Sequence, residues 1–161
     1  MAVKDLIYDG NELLLQNSEE IINIDDEIKN ISKDMLDTMY KYDGIGLAAV
    51  QIGYLKRMIV YDCSYIEEGA KKKPVVMINP KIVWTSKSRV LVEEGCLSFP
   101  DVFKNIERYE KVKVEYLGLD GKKRIKSAKG MEAIVIQHET DHLDGVVFLS
   151  RVEEKNNKEE K

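Results

Sequence analysis

The chain contains only two histidines, and both lie in QHETDH at residues 137–142, at the end of a run with helical spacing. Met131, Ile134, Val135, His138, Glu139 and His142 follow one another at steps that, at 3.6 residues per turn, place them on one stripe of a helix ending before Gly145. The first half of the stripe is apolar and belongs against a core. The second half is two imidazoles and a carboxylate, which can be buried only if each finds a partner. Any fold open to this sequence must therefore bring polar groups or an ion to that helix face. A metal ion meets the need: in His-Glu-x-x-His two imidazoles bind the ion and the glutamate handles protons for the water beside it. Catalytic metal sites usually take three protein ligands. With histidine exhausted, the third must be Cys, Asp or Glu. Nineteen residues follow His142, and their acidic members sit in the charged stretch EEKNNKEEK, which disfavours a zinc endopeptidase with its third ligand downstream. Upstream, Cys96 in EEGCLSFP stands where a strand meets a turn marked by Gly95 and Pro100, a place from which a thiolate could face a helix.

The rest of the chain sets the frame. IDDEIKNISKDMLDTMYKYDG repeats Ile28, Ile31, Met35, Leu36 and Met39 at helical spacing behind Asp25 and Asp26, and Gly44 is expected to end that helix. RMIVYD, PVVMINPKIVW and SRVLVEEGCLSFP read as strands, and KVKVEYLGLDGKKRIK as a hairpin with Val112 and Val114 on one side. Strands between an early and a late helix predict a compact single-domain α+β fold with mostly antiparallel sheet over residues 1–151, and a solvated charged tail over 152–161. The formal charge is −4, with Lys and Arg scattered along the sequence, so no basic stripe points to nucleic acid. No apolar run reaches the length of a membrane span, and the start lacks a signal-peptide pattern. A cytoplasmic setting is expected, where Cys63 and Cys96 stay reduced and Cys63 fills core space.

Three blocks in this order, GIGLAAVQIG, EEGCLSFP and QHETDHLDG, closely resemble the signature of the peptide deformylases. The resemblance runs from about residue 25 to residue 151. It implies a divalent metal, one per chain, held by Cys96, His138 and His142, with Fe2+ as the native ion and Ni2+, Co2+ or Zn2+ as substitutes. Glu139 takes the acid/base role, and the Gln51 amide and Leu97 backbone N–H become the donors to an oxyanion. Gly44, Gly46 and Gly95 would let backbone approach a substrate, while Ile45, Val92, Met131, Ile134 and Val135 would line a slot for a methionine side chain. Glu94 and Arg108 would brace the cysteine segment. The implied partners are N-formylmethionyl nascent peptides, met at the ribosome, and the implied reaction removes the formyl group as formate.

The chain departs from the family pattern at its first residues, YDGNELLLQNSEEI, whose path the resemblance does not give. It also carries Phe103 where many bacterial members place an arginine or tyrosine. Two other readings stand beside an active deformylase: a metal-holding peptide-binding module without turnover, and a zinc endopeptidase.

Overall fold

The structure, a computed structural model, describes residues 2–64 and 70–152. Helix α1 spans Asp26–Lys41 and α2 spans Gly130–Leu143. The strands are β1 Gly46–Ala48, β2 Met58–Tyr61, β3 Val75–Thr85, β4 Arg89–Cys96, β5 Phe99–Tyr109, β6 Lys111–Leu117 and β7 Lys123–Lys129. Five of them form one antiparallel sheet in the order β1-β2-β3-β6-β7, and β4 and β5 form a separate hairpin. The expected α+β architecture is the one observed.

Strand periodicity explains why both faces of the sheet are covered. On one face Ala48, Ile59, Tyr61, Met77, Val112 and Val114 pack with Ala133 and Ile136 of α2 and with Phe148. On the other, Leu47, Met58, Val60 and Ile78 pack with Ile28, Ile31, Met35 and Met39 of α1. All four residues of β2 are buried, because helices lie on both of its sides.

Helix α1 starts as its sequence predicts, with the Asp25 side chain accepting from the Ile28 N–H at 3.0 Å. Its end differs from expectation. Asp43, not Gly44, takes the left-handed conformation (φ 56°), and the Gly44 N–H donates to the Met39 carbonyl at 2.9 Å. The small residue at 44 serves a different purpose, since a Cβ there would sit 2.6 Å from Leu97 Cδ1. SRVLVEEGCLSFP is likewise not one strand: β4 stops at Cys96, and β5 begins at Phe99 and returns along it. Between the pairs Glu94–Lys104 and Cys96–Phe99 the β5 side is longer, so residues 100–103 arch outward, with Asp101 at φ 61°. Of the tail assigned to 152–161, Val152 packs against the core at the end of a helical turn over 148–152, and residues 153–161 lie outside the described residues. The first residues run beside α1, where the Ala2 and Lys4 N–H groups donate to Asp34 and Thr38 side chains, and reach the 49–52 turn, where the Ile7 N–H donates to the Gln51 carbonyl at 2.7 Å.

Candidate active site

Helix α2 delivers its polar stripe into the protein. His138, Glu139 and His142 are all buried, and Cys96 arrives from the end of β4. One donor atom from each of Cys96, His138 and His142 can be chosen so that all three lie within 4.8 Å of one another. Cys96 Sγ is 3.4 Å from His142 Nε2. Bond lengths of about 2.0–2.3 Å to a tetrahedral ion imply ligand-to-ligand edges of about 3.4–3.6 Å, so this separation suits a shared ion without rearrangement. The His138 and His142 rings cross edge to face with centroids 5.1 Å apart.

The surroundings fix the orientation of His138. Its Nδ1 lies 2.8 Å from Glu94 Oε1, which turns Nε2 inward, the carboxylate–imidazole arrangement that commonly supports metal-binding histidines. Glu94 is itself gripped by Arg108, whose Nε and Nη2 donate to its two oxygens at 2.7 and 2.9 Å. Arg108 Nη1 continues to Asp141 at 2.6 Å, and Asp141 also accepts from Arg151 at 2.8 Å. Glu94 and Arg108 are thus not separate surface charges: both are buried, and the pair braces a histidine as well as the cysteine segment. Asp141 and Arg151 extend the network, and nothing in their sequence context distinguished them from ordinary surface charges.

The electrostatics call for a cation. Burial works against the Glu94 carboxylate, but hydrogen bonds from Arg108 and His138 prevail and hold its pKa at about 2. Burial drives His142 well toward neutrality, the form in which imidazole binds metals. Burial also disfavours charge on His138, yet Cys96, Glu94 and Glu139 around it draw in a proton. That pull marks an excess of anionic groups which a cation in the same place would satisfy. Burial, reinforced by Glu94 and Asp141 and opposed by His138 and Arg108, raises the Glu139 pKa to about 7. Among the described residues, Glu139 Oε2 is buried with no hydrogen-bond partner, as is His142 Nδ1.

Gln51 stands over the thiol. Its Oε1 accepts from the Ala48 N–H at 2.9 Å, and its Nε2 donates to Ser98 Oγ at 3.1 Å and points to Cys96 Sγ at 3.6 Å. Ser98, wholly buried, is a part of the site that sequence reasoning missed. A cleft of about 610 Å³ opens beside these groups. Gly44, Ile45, Gly46, Gln51, Val92, Gly95, Cys96, Leu97, Met131, Ile134, Val135, His138 and Glu139 all line it, and of the residues expected at the site only His142 lies behind the wall. Phe103, which the family pattern placed near the substrate, lines it too, while Tyr8, Tyr42 and the rest of the arch at 100–102 form further walls that the sequence did not announce. The glycines line the cleft as expected, and the space their missing Cβ atoms free is taken up by protein. A Cβ at Gly46 would lie 2.8 Å from Val135 Cγ1 and 3.1 Å from Glu139 Cγ, so the space freed there is already filled by α2. At Gly95 the equivalent space holds the Phe103 ring.

A closed donor set of one thiolate and two imidazoles, beside a buried carboxylate and an apolar cleft, defines a mononuclear metallohydrolase. Residues 3–158 match the family model described as polypeptide deformylase. The chain is 45% identical to the peptide deformylase of Rhizobium meliloti over 94% of this chain and 86% of that protein, and 48% identical to that of Pelagibacter ubique over 92% and 86%. Its structure superposes on peptide deformylase from Thermotoga maritima with a TM-score of 0.88 at 36% identity, covering 94% of this chain and 98% of the other. It matches equally well, at 0.88 and 40% identity over 94% and 89%, the Ehrlichia chaffeensis peptide deformylase in complex with actinonin. The chain belongs to the peptide deformylase family.

Proposed function

We propose that this protein hydrolyses the formamide of N-formylmethionyl nascent peptides, releasing formate and a free amino terminus. The observation that carries the reading is the convergence of Cys96, His138 and His142 within 4.8 Å beside a buried Glu139 oxygen that lacks a partner. Cys96 Sγ and an imidazole nitrogen from each histidine would hold the ion; when bound, a divalent cation polarises the formyl oxygen and brings the pKa of water toward neutrality. Fe2+ is the ion proposed, because mixed thiolate and imidazole donors accept it readily; Ni2+, Co2+ and Zn2+ are substitutes the same donors would take.

The chain's own groups then divide the work. Glu139 takes a proton from the attacking water as its oxygen bonds to the formyl carbon and leaves an oxyanion, then delivers that proton to the amine as the C–N bond breaks and the C=O bond re-forms. One Gln51 N–H is anchored on Ser98 and the other is aimed at Cys96 Sγ 3.6 Å away, from which it would turn to meet the oxyanion together with the Leu97 backbone N–H. Each such donor contributes about 3 kcal/mol in comparable hydrolases. Ile45, Val92, Met131, Ile134 and Val135 receive the methionine side chain, which once seated there would shield the reacting carbonyl from water. Glu94 and Arg108 hold His138 in place throughout.

The test is formate release from a short N-formylmethionyl peptide, run beside an unblocked peptide scored for internal cleavage. Formate release with the second peptide intact is the expected result. Internal cleavage would indicate an endopeptidase, and metal binding with neither product a module without turnover.

A further inference from the structure

The lysines that look scattered along the sequence are gathered by the fold. Between residues 111 and 129 seven basic residues stand against two acidic ones, in a chain of net charge −4. Strand pairing sorts them. Val112, Val114 and Ala128 face α2, so Lys111, Lys113 and Lys129 project from the opposite side of the sheet. Pairing of Lys81 with Glu115, Trp84 with Lys113 and Leu117 with Lys123 adds Lys81, Trp84 and Lys123 to that side. Helix α1 covers the same side of the sheet only over β1, β2 and the adjoining ends of β3 and β6. Beyond it the face is bare: all five lysines are exposed, Trp84 is 47% exposed, and Lys113 Nζ sits 5.6 Å from the centre of its ring. Glu115 pairs with Lys123 at 2.7 Å, which leaves the charge of four lysines in excess around one exposed indole.

We propose that this face of β3, β6 and β7 is a docking surface for single-stranded RNA. The lysines would neutralise phosphates along one stretch of backbone, and Trp84 would offer a stacking platform for a base, the combination by which flat sheet faces commonly hold single strands. An anionic bilayer would ask for a continuous apolar wedge, and besides Trp84 the exposed apolar side chains in this region are Ile125 of β7 and Val83 at the β3 bulge, too few for one. The active-site cleft opens on the α2 side of the sheet, so both surfaces can be occupied together. RNA is the polyanion to which chains still under synthesis are attached, and in that respect the inference rests on the deformylase reading.

The chain has one tryptophan, so its fluorescence reports on this face alone. The full-length, metal-loaded protein is titrated with a short unstructured RNA at low salt, with intrinsic fluorescence and RNA anisotropy followed together. Saturable binding with quenching of Trp84 is expected. The logarithm of affinity should fall with the logarithm of salt at a slope of about −3, as four to five phosphate contacts at about 0.7 each require. Lys81→Glu/Lys113→Glu should weaken binding by about tenfold or more and reduce that slope by about 1.4. Both sites are exposed and far from the cleft, so this variant should keep its melting temperature and its rate of formate release. Trp84→Leu should weaken RNA binding while leaving binding of dextran sulfate unchanged. The inference is overturned if RNA leaves Trp84 unquenched, if the double variant binds RNA like the parent, or if phosphatidylglycerol vesicles bind this face and RNA does not. Formate release is read separately, so failure of RNA binding and failure of the enzymatic reading cannot be confused.

Discussion

Gly46→Ala is the smallest change that tests how α2 and β1 position the site. Gly46 has no positive φ to defend, so alanine meets no backbone penalty and the whole effect is steric. The new methyl would stand 2.8 Å from Val135 Cγ1 and 3.1–3.2 Å from Glu139 Cγ and Cδ, well inside a normal carbon–carbon contact of about 3.5–4.0 Å. Val135 cannot turn away, because a β-branched residue in a helix has essentially one rotamer. The relief must come from α2 shifting by several tenths of an ångström or from Glu139 leaving its place. Overpacking of this kind costs about 1–3 kcal/mol, which for a chain of this size lowers Tm by about 2–4 °C per kcal/mol. Displacing the carboxylate should reduce kcat/KM by about ten- to a hundredfold with the metal retained, since misplacement by about 1 Å carries that scale of loss. Val135→Ala removes the struck methyl, so Gly46→Ala/Val135→Ala should be at least about 1 kcal/mol more stable than the two single changes sum to. Thermal unfolding of the four proteins, with formate release and metal content, completes the cycle. Parental Tm and rate in Gly46→Ala, or simple additivity in the double variant, would refute the contact.

Glu139→Ala should keep one metal per chain by atomic absorption while turnover falls by about two to four orders of magnitude, the usual worth of a positioned acid/base. A formylated peptide beginning with methionine or norleucine should be processed far faster than one beginning with aspartate, because an unpaired carboxylate beside Met131, Ile134 and Val135 would be desolvated; equal rates would show that these residues are only core. Cys63 should resist iodoacetamide at pH 7, since burial, with Glu132 and Asp62 adding to it, raises its pKa to about 11; peptide mapping after a short exposure checks this. Asp62 is buried, which alone would raise its pKa, but hydrogen bonds from Ser64, Tyr40 and Lys73 outweigh burial and lower it. A carboxyl lowered on folding contributes stability above its unfolded pKa of about 3.9 and loses it as pH falls through the lower folded value, so Tyr40→Phe should unfold at a higher pH in an acid titration followed by circular dichroism.

What was legible in the sequence is what depends on local periodicity. The stripe from Met131 to His142 and the alternation of Val112 and Val114 fixed helix and strand because burial on one face imposes a period on the residues themselves. The reach of Gln51 to Cys96 depends on how a turn at 49–52 docks on a strand end some forty residues away, and only the family resemblance pointed to it. Ser98, Asp141 and Arg151 stayed hidden because a serine or a charged residue carries no mark of burial; the groups they meet come from distant elements, the 49–52 turn, β5 and the helical turn over 148–152. The glycines hid their neighbours for a related reason. A missing Cβ signals that something comes close without saying what, and at positions 44, 46 and 95 it is Leu97, α2 and Phe103. The basic face escaped notice because lysines at alternate positions of separate strands become neighbours only once the strands pair.

The buried charges explain why the donor set suits a divalent ion better than a monovalent one or none. Arg108 and Arg151 offset Glu94 and Asp141 through contacts of 2.6–2.9 Å, so that network is close to neutral as a unit. Two groups at the centre have no such paired counterweight: Glu139 as a carboxylate, and Cys96, which must give up its proton to bind a metal. Without an ion, burial, reinforced by Glu94 and Asp141, pushes Glu139 up to about 7, and although burial disfavours charge on His138, its contacts with Cys96, Glu94 and Glu139 draw it toward its charged form. A dication held there would balance both negative charges at once, would leave His138 neutral as a ligand must be, and would let Glu139 ionise at the pH where a proton acceptor is needed. An aspartate in place of Cys96 would preserve the charge count but carry its donor oxygen one bond farther from the β4 end, and a serine would leave Glu139 as the only anion. Loss of metal should therefore be larger for Cys96→Ser than for Cys96→Asp, an order that geometry alone, with sulfur and oxygen ligands judged by size, does not give.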